Sequence, residues 1–298
     1  MFSRFAPILF RIAVLGSVLL LLNACEDLDD RGDLSVGITD APVDNAETLV
    51  IEFDGIELQP AEGNRVEIEF EPPKAVDLLA LTGGERELLI EDESLEVGSY
   101  SSLRLRVNAD EDGELDSFIT INGAMTELCL GSGADSALLI NQSFEIKRRE
   151  ELDFTIDFDL RRSVHQPEDD DCFELQPVLR LIETANSGSI SGIVDSTFLS
   201  ERSCLPEQGG VVVYVYAGSD TTPDDVDGVS PEPLTSARVI LDDTGNFSYR
   251  AGFLEPNGYT VALTCEASQD DPEDDDDIQF DAVNNVSVSA GEESTQDF

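Results

Sequence analysis

Apolar and polar residues alternate with a period of two along much of this chain. Val66, Ile68 and Phe70 alternate with Glu67 and Glu69, and Leu103, Leu105 and Val107 with Arg104 and Arg106. The clearest run is Leu152, Phe154, Ile156, Phe158 and Leu160, interleaved with Asp153, Thr155, Asp157 and Asp159. This pattern puts one strand face in a core and the other in water. In Leu49, Ile51 and Phe53, followed by Ile56 and Leu58, the parity flips at Gly55, which predicts a β-bulge. Leu78 to Leu81 reads as a helical turn, and no long segment has helical period.

The small-residue stretch Ala185-Asn186-Ser187-Gly188-Ser189 marks a boundary. Before it, one domain spans 33–185. After it, a second spans 188–298, with strands over Ile190–Val194, Val211–Tyr216, Ala237–Leu241, Phe247–Arg250, Tyr259–Cys265 and Val283–Val288. Turn residues separate these at Asp243-Thr244-Gly245-Asn246 and Pro256-Asn257-Gly258. The expected class is all-β, two antiparallel β-sandwich domains in tandem. The acidic run Asp270–Asp277 cannot pack and is expected to be an exposed loop.

Charge sharpens this reading. The 298 residues carry a formal net charge of -47, with a sequence pI near 4.1. Such a chain repels nucleic acid, whose phosphates attract Lys and Arg, and it does not adhere electrostatically to anionic lipid. Lys occurs only at Lys74 and Lys147. A solvated, self-repelling acidic surface is expected, stabilised by salt and by mild acidification.

The first residues differ from the rest. Arg4 and Arg11 precede and flank an apolar run from Ile12 to Leu22, shorter than the span of about 20 residues a membrane-crossing helix needs. It ends in Leu22-Asn23-Ala24-Cys25. This ending resembles a bacterial lipobox, which implies a signal peptide over 1–24, cleavage before Cys25 and acylation at Cys25. Two or more acyl chains give stable anchoring. Residues 25–32 then form a lipidated, acidic tether. Glu26, next to the anchor, leads us to expect the outer membrane, at its periplasmic face or the cell surface.

Four further cysteines remain, Cys129, Cys172, Cys204 and Cys265. An even number in an exported chain predicts disulfides. Three connectivities are possible, and the domain split favours Cys129–Cys172 with Cys204–Cys265.

Candidate chemistry is sparse. His165 is the only histidine and lies in a polar stretch, which excludes paired-histidine zinc motifs. No Gly-x-Ser-x-Gly elbow or phosphate loop occurs. Carboxylates are so numerous that counting them identifies no hydrolytic pair. One acidic cluster is ordered: Asn108, Asp110, Asp112 and Asp116 surround Gly113 like the start of a calcium loop. The closing glutamate of an EF-hand would fall at Ile119, so a full EF-hand is excluded, and an acidic hairpin turn is the competing explanation. Asp224-Asp225-Val226-Asp227-Gly228 is a second, weaker candidate. Calcium is thus the one cofactor to look for.

Two segments resemble known families. Leu34–Asp44, with its Thr39-Asp40-Ala41-Pro42, Val50–Leu58, Val76-Asp77-Leu78-Leu79, Gly98-Ser99-Tyr100 leading to Leu103-Arg104-Leu105, and Leu175–Arg180 are similar to the bacterial domain of unknown function 4382. That resemblance implies no activity. Gly188–Val194, Val213-Tyr214-Val215, Asp243–Phe247 and Asn257–Val261 resemble a transthyretin-like, carboxypeptidase-regulatory-like sandwich, a module that by analogy implies a spacer or binding unit. The expected function is a non-enzymatic, lipid-anchored envelope protein that binds or scaffolds, with a glycan or protein partner. A calcium-stabilised adhesin or glycan-binding module and a carboxylate-based hydrolase are the alternatives.

Overall fold

A computed structural model describes residues 30–41, 46–131, 138–166, 172–204, 206 and 210–298. The expected signal peptide, Cys25 and most of the tether lie outside the described residues. The first part of the chain forms β1 (Arg31–Ala41), β2 (Thr48–Pro60), β3 (Val66–Asp77), β4 (Glu87–Glu96), β5 (Gly98–Asn108), β6 (Phe118–Ile121) and β7 (Ala124–Leu130). It continues with β8 (Leu139–Ile140), β9 (Phe144–Ile146), β10 (Glu151–Asp159), β11 (Val164–His165), β12 (Phe173–Leu175) and β13 (Leu179–Glu183). The second part forms β14 (Gly188–Val194), helix α1 (Ser196–Arg202), β15 (Val212–Ala217), β16 (Thr235–Arg238), β17 (Ile240–Leu241), β18 (Phe247–Leu254), β19 (Asn257–Thr264), β20 (Phe280–Val288) and β21 (Glu293–Thr295).

These strands build four sheets arranged as two sandwiches. In the first, the sheet β13-β10-β1-β4 faces a larger one whose path is β11-β12-β7-β6-β2-β5-β8, with β3 beside β2 and β9 beside β5. In the second, β17-β18-β14-β21 faces β16-β15-β19-β20. Among the described residues no strand of one sandwich pairs with a strand of the other. Pairing is mostly antiparallel, but β1·β10, β7·β12 and β14·β21 are parallel. Turn signals in sequence mark only hairpin neighbours, so these long-range parallel contacts were not part of the expected pattern.

The period-two apolar positions form the cores. Leu34, Val36, Ile38, Ile51, Phe53, Ile56, Leu103, Leu105, Ile156 and Phe158 are fully or almost fully buried in the first. Val213, Val215, Tyr259, Val261 and Leu263 are buried in the second. The register of β2 against β3 and β5 shifts between Phe53 and Gly55, as the parity flip predicts. Residues 78–80 form a 3-10 turn. Cys129 is bonded to Cys172, joining β7 to the approach of β12, and Cys204 to Cys265, with Cα–Cα distances of 6.0 and 5.3 Å. No helix among the described residues is long and apolar enough to cross a membrane.

One strand departs from the one-faced pattern. On β15, Val213 and Val215 point into the main core, yet Val212, Tyr214 and Tyr216 are also buried, in a satellite cluster with Ala262, Ala267 and partly Phe280. The outer face of this sheet is therefore covered. Its cover is made by the loops after β15 and after β19, together with the turn of the first sandwich that follows β10.

Candidate functional site

The two sandwiches meet along one junction with two distinct regions. The first is a cleft of about 470 Å³ lined from both sides. Its floor from the first sandwich is Thr39 and Asp40 at the end of β1, with Gly83, Gly84 and Asp157. Thr39 donates its hydroxyl to the Glu85 carbonyl at 2.7 Å, which fixes the end of β1 beside that turn. From the second sandwich, Arg250 on β18 donates to the Gly83 carbonyl at 2.6 Å and is ion-paired with Glu293 at 2.9 Å. The backbones come close here because neither side carries a Cβ: one added at Gly252 would lie 2.9 Å from the Gly84 Cα. Ile193 and Ile240 give the cleft an exposed apolar wall.

Carboxylates crowd the floor of this cleft. Asp157, buried, is ion-paired with Arg180. Asp159 pairs with Arg162 at 3.0 Å. Both oxygens of Asp40 are sealed from solvent without a hydrogen-bond partner of good geometry. Burial, with Asp157 and Asp159 beside it, holds the Asp40 carboxyl well above the usual carboxylate range, and the Leu160 backbone amide and Arg238 offset this only in part. Burial likewise pushes Asp159 up to about 6, against the pull of Arg162. The β10 alternation assigned Thr155, Asp157 and Asp159 to a solvated face. The structure corrects this: Thr155 and Asp157 are buried and Asp159 largely so. A pattern within one strand cannot show that another element covers its polar side.

The second region lies on the outer face of β15. Arg161, from the turn after β10, is 5 % exposed and reaches across the junction. Its guanidinium lies 5.5 Å from the Tyr214 ring centre, donates to the Ala267 carbonyl at 3.1 Å and approaches Asp270 at 3.5 Å. Asp270 also accepts from the Tyr214 hydroxyl and from the Val226 amide. Its burial pushes its pKa up, against Tyr214 and Arg161. Arg162 reaches Glu232 at 3.4 Å and His165 lies 3.5 Å from Glu273, so three residues of the first sandwich touch the two covering loops. The expectation of a wholly exposed loop over Asp270–Asp277 is therefore corrected at its start. Asp270 is buried and Asp276 half-buried, while Asp271, Glu273, Asp274, Asp275 and Asp277 are exposed.

Here acidic groups converge as a metal ion would require. Ligand atoms of Asp225, Asp270 and Asp276 lie within 4.8 Å of one another, as do those of Asp225, Asp227 and Asp275. All five of these residues come from the two sequence segments read as a weak calcium candidate and as an exposed acidic run. Asn108, Asp110, Asp112 and Asp116 are arranged differently. The Asn108 amide donates to Glu52 and Asp116, both at 3.0 Å, and the Glu127 carboxylate accepts from the Asp112 and Gly113 amides. Asp110 and Asp112 are exposed, and among the described residues this loop brings no three metal-ligating atoms together. Nor is a serine or threonine hydroxyl hydrogen-bonded to His165 among the described residues, and no Ser-His-Asp triad is assembled.

Comparison with known proteins adds a family to this geometry. No curated protein matches the chain. Among solved structures, the TIE protein of Bacillus anthracis aligns at 12% identity over 90% of this chain and 33% of that one, with a TM-score of 0.22. This chain thus spans about a third of its length. The minor pilin GBS52 of Streptococcus agalactiae aligns at 11% identity over 89% and 94%, TM-score 0.19. The fimbrial anchor protein Mfa2 of Porphyromonas gingivalis aligns at 11% identity over 86% and 83%, TM-score 0.19. At such values the superpositions carry no functional argument. Residues 31–177, which hold β1 to β12 and the carboxylates of the cleft floor, match the model of a domain of unknown function (DUF4382), so the N-terminal sandwich is a DUF4382-like domain.

Proposed function

We propose that this chain is a non-enzymatic, lipid-anchored protein of the cell envelope that binds or scaffolds through the cleft between its sandwiches. The observation that carries the reading is that one cleft is built jointly by both. Its 470 Å³ falls in the range of small-molecule and peptide sites. Hydroxyls of Thr235, Ser236 and Ser248 beside the exposed Ile193 and Ile240 suit a ligand with polar edges and an apolar face, as sugars and short peptides have. The Asp40 oxygens are too enclosed to exchange a proton with such a ligand, and Asp157 is engaged by Arg180, which weighs against a carboxylate hydrolase. The domain limits 33–185 and 188–298 belong to the same proposal, as does an outer-membrane anchor at Cys25.

Two experiments test it. Cells expressing the chain and fed labelled palmitate should yield labelled protein in outer-membrane fractions, with label lost in Cys25→Ser. Label retained in that variant would refute the anchor. For the cleft, retention on insoluble peptidoglycan and on outer-membrane vesicles is compared between the wild type and Thr295→Trp or Ile193→Trp. Both sites are exposed on the cleft wall, so stability should change by only about 0.5 kcal/mol. A roughly tenfold loss of retention supports the cleft; unchanged retention by both variants rejects it.

A further inference from the structure

We propose that the covered outer face of β15 holds a structural calcium ion, ligated by Asp225, Asp270 and Asp276 with Asp227 and Asp275 alongside. The cluster alone would not carry this. The decisive group is Asp225, which is 1% exposed. One of its oxygens accepts from the Asp276 amide, but the other, Oδ1, is buried with no hydrogen-bond partner. A buried carboxylate oxygen without a donor is costly, and more so beside other carboxylates in a poorly solvated site. Asp225 belongs to both converging groups, so the carboxylate that carries the unpartnered oxygen is one whose ligand atom lies within 4.8 Å of those of the neighbouring aspartates. Arg161 offers Asp270 one positive charge at 3.5 Å, against carboxylates from five aspartates. A divalent cation supplies both the missing charge and the missing partner.

The donors are all oxygen, which selects a hard cation over zinc or copper. Carboxylates contributed by two loops at unequal depth suit the adaptable coordination of calcium better than the near-ideal octahedron of magnesium. The ion also has a structural consequence. The ligating loops are those touched by Arg161, Arg162 and His165 of the first sandwich. Calcium would thus fasten the cover of β15 and, with it, the junction between the sandwiches.

The test uses the full chain in mild detergent. Calcium titrated after chelation should bind about one ion per chain and raise the melting temperature by roughly 5–10 °C at a hundredfold excess over its dissociation constant. Sodium chloride at matched ionic strength should do much less. Asp225→Asn should weaken calcium binding roughly 100-fold or more, yet melt higher than the chelated wild type, since it removes a buried charge. Asp110→Asn with Asp112→Asn should leave binding unchanged. No calcium binding to the wild type, a calcium shift no larger than that of sodium, or full binding in Asp225→Asn overturns the proposal. A chelated wild type that gains stability on mild acidification but not from calcium overturns it in favour of a shared proton. If Asp225→Asn fails to fold, the wild-type titration with and without chelator still decides.

Discussion

Asp40 and Asp159 show how a carboxylate at an inter-domain junction gains a pH response. Their folded-state pKa values are raised, and burial is the first cause for both. The native state then takes up protons more readily than the unfolded chain, so stability increases as pH falls through the folded pKa towards the unfolded value near 4. Asp270, Asp224 and Glu232 act in the same sense; the lowered Asp195, Asp242 and Glu293 oppose it on exposed surface. Melting temperature should therefore rise between pH 7 and about pH 5. Asp159→Asn should remove part of that rise, about 1.3 kcal/mol between pH 7 and pH 5 for a folded pKa of about 6. A flat or falling profile in the wild type would contradict the assignment. Mild acidification was expected to stabilise because exposed acids repel; where shifts are resolved at these sites, desolvation leads instead. The Thr39-Asp40-Ala41-Pro42 motif is visible in the sequence, but that Asp40 is sealed depends on a second sandwich packing over it.

Elements carry most of what sequence periodicity reveals. The alternation of β2, β5 and β10 identified their core faces because side-chain direction along a strand follows from local geometry. Gly55 announced its bulge for the same reason. The structure adds why only glycine serves: a Cβ there would lie 2.2 Å from the Ile68 carbonyl oxygen. Gly55→Ala should therefore cost about 2–4 kcal/mol, measured by denaturant unfolding; a loss under about 0.5 kcal/mol would show the bulge relaxes freely. The cover of β15 was not legible, since the Val211–Tyr216 run fits a strand buried on one face or on both. Disulfides act at this scale too. Cys129 and Cys172 are separated by 43 residues, and removing both as alanines should lower stability by about 2–4 kcal/mol in the chain-entropy view. Unchanged stability would show that β7 and β12 are held by their ladder alone.

The whole molecule balances a formal charge of -47 against a junction that gathers several of its arginines. Arg86, Arg161, Arg162, Arg180 and Arg250 all pair with acids at or near the seam. Composition could report the excess of acid but not where the scarce cations are spent. In the chelated, calcium-free protein Arg161→Ala would leave Asp270 buried without its cation, costing about 3–5 kcal/mol. Because Arg161 spans the junction, the loss should also separate the unfolding of the two sandwiches, seen as two calorimetric transitions. One unchanged transition would show that the remaining junction contacts, among them those of Arg162, His165 and Arg250, suffice to couple them. Moderate salt should raise the wild-type melting temperature by screening the surface acids.

The place of β1 also has a mechanical meaning. It lies inside its sheet, parallel to β10 from Asp33↔Glu151 to Ala41↔Asp159 and antiparallel to β4 on its other side. Its first residues follow the proposed tether, and its last reach the cleft. Traction between a membrane and a ligand seated in that cleft would run along the strand axis. Both ladders would then be strained in shear, with many hydrogen bonds resisting together, where a strand peeled from an edge yields them one at a time. Rupture under such traction depends on the rate of unfolding rather than on equilibrium stability. An internal first strand therefore suits a domain that must stay folded while it is pulled.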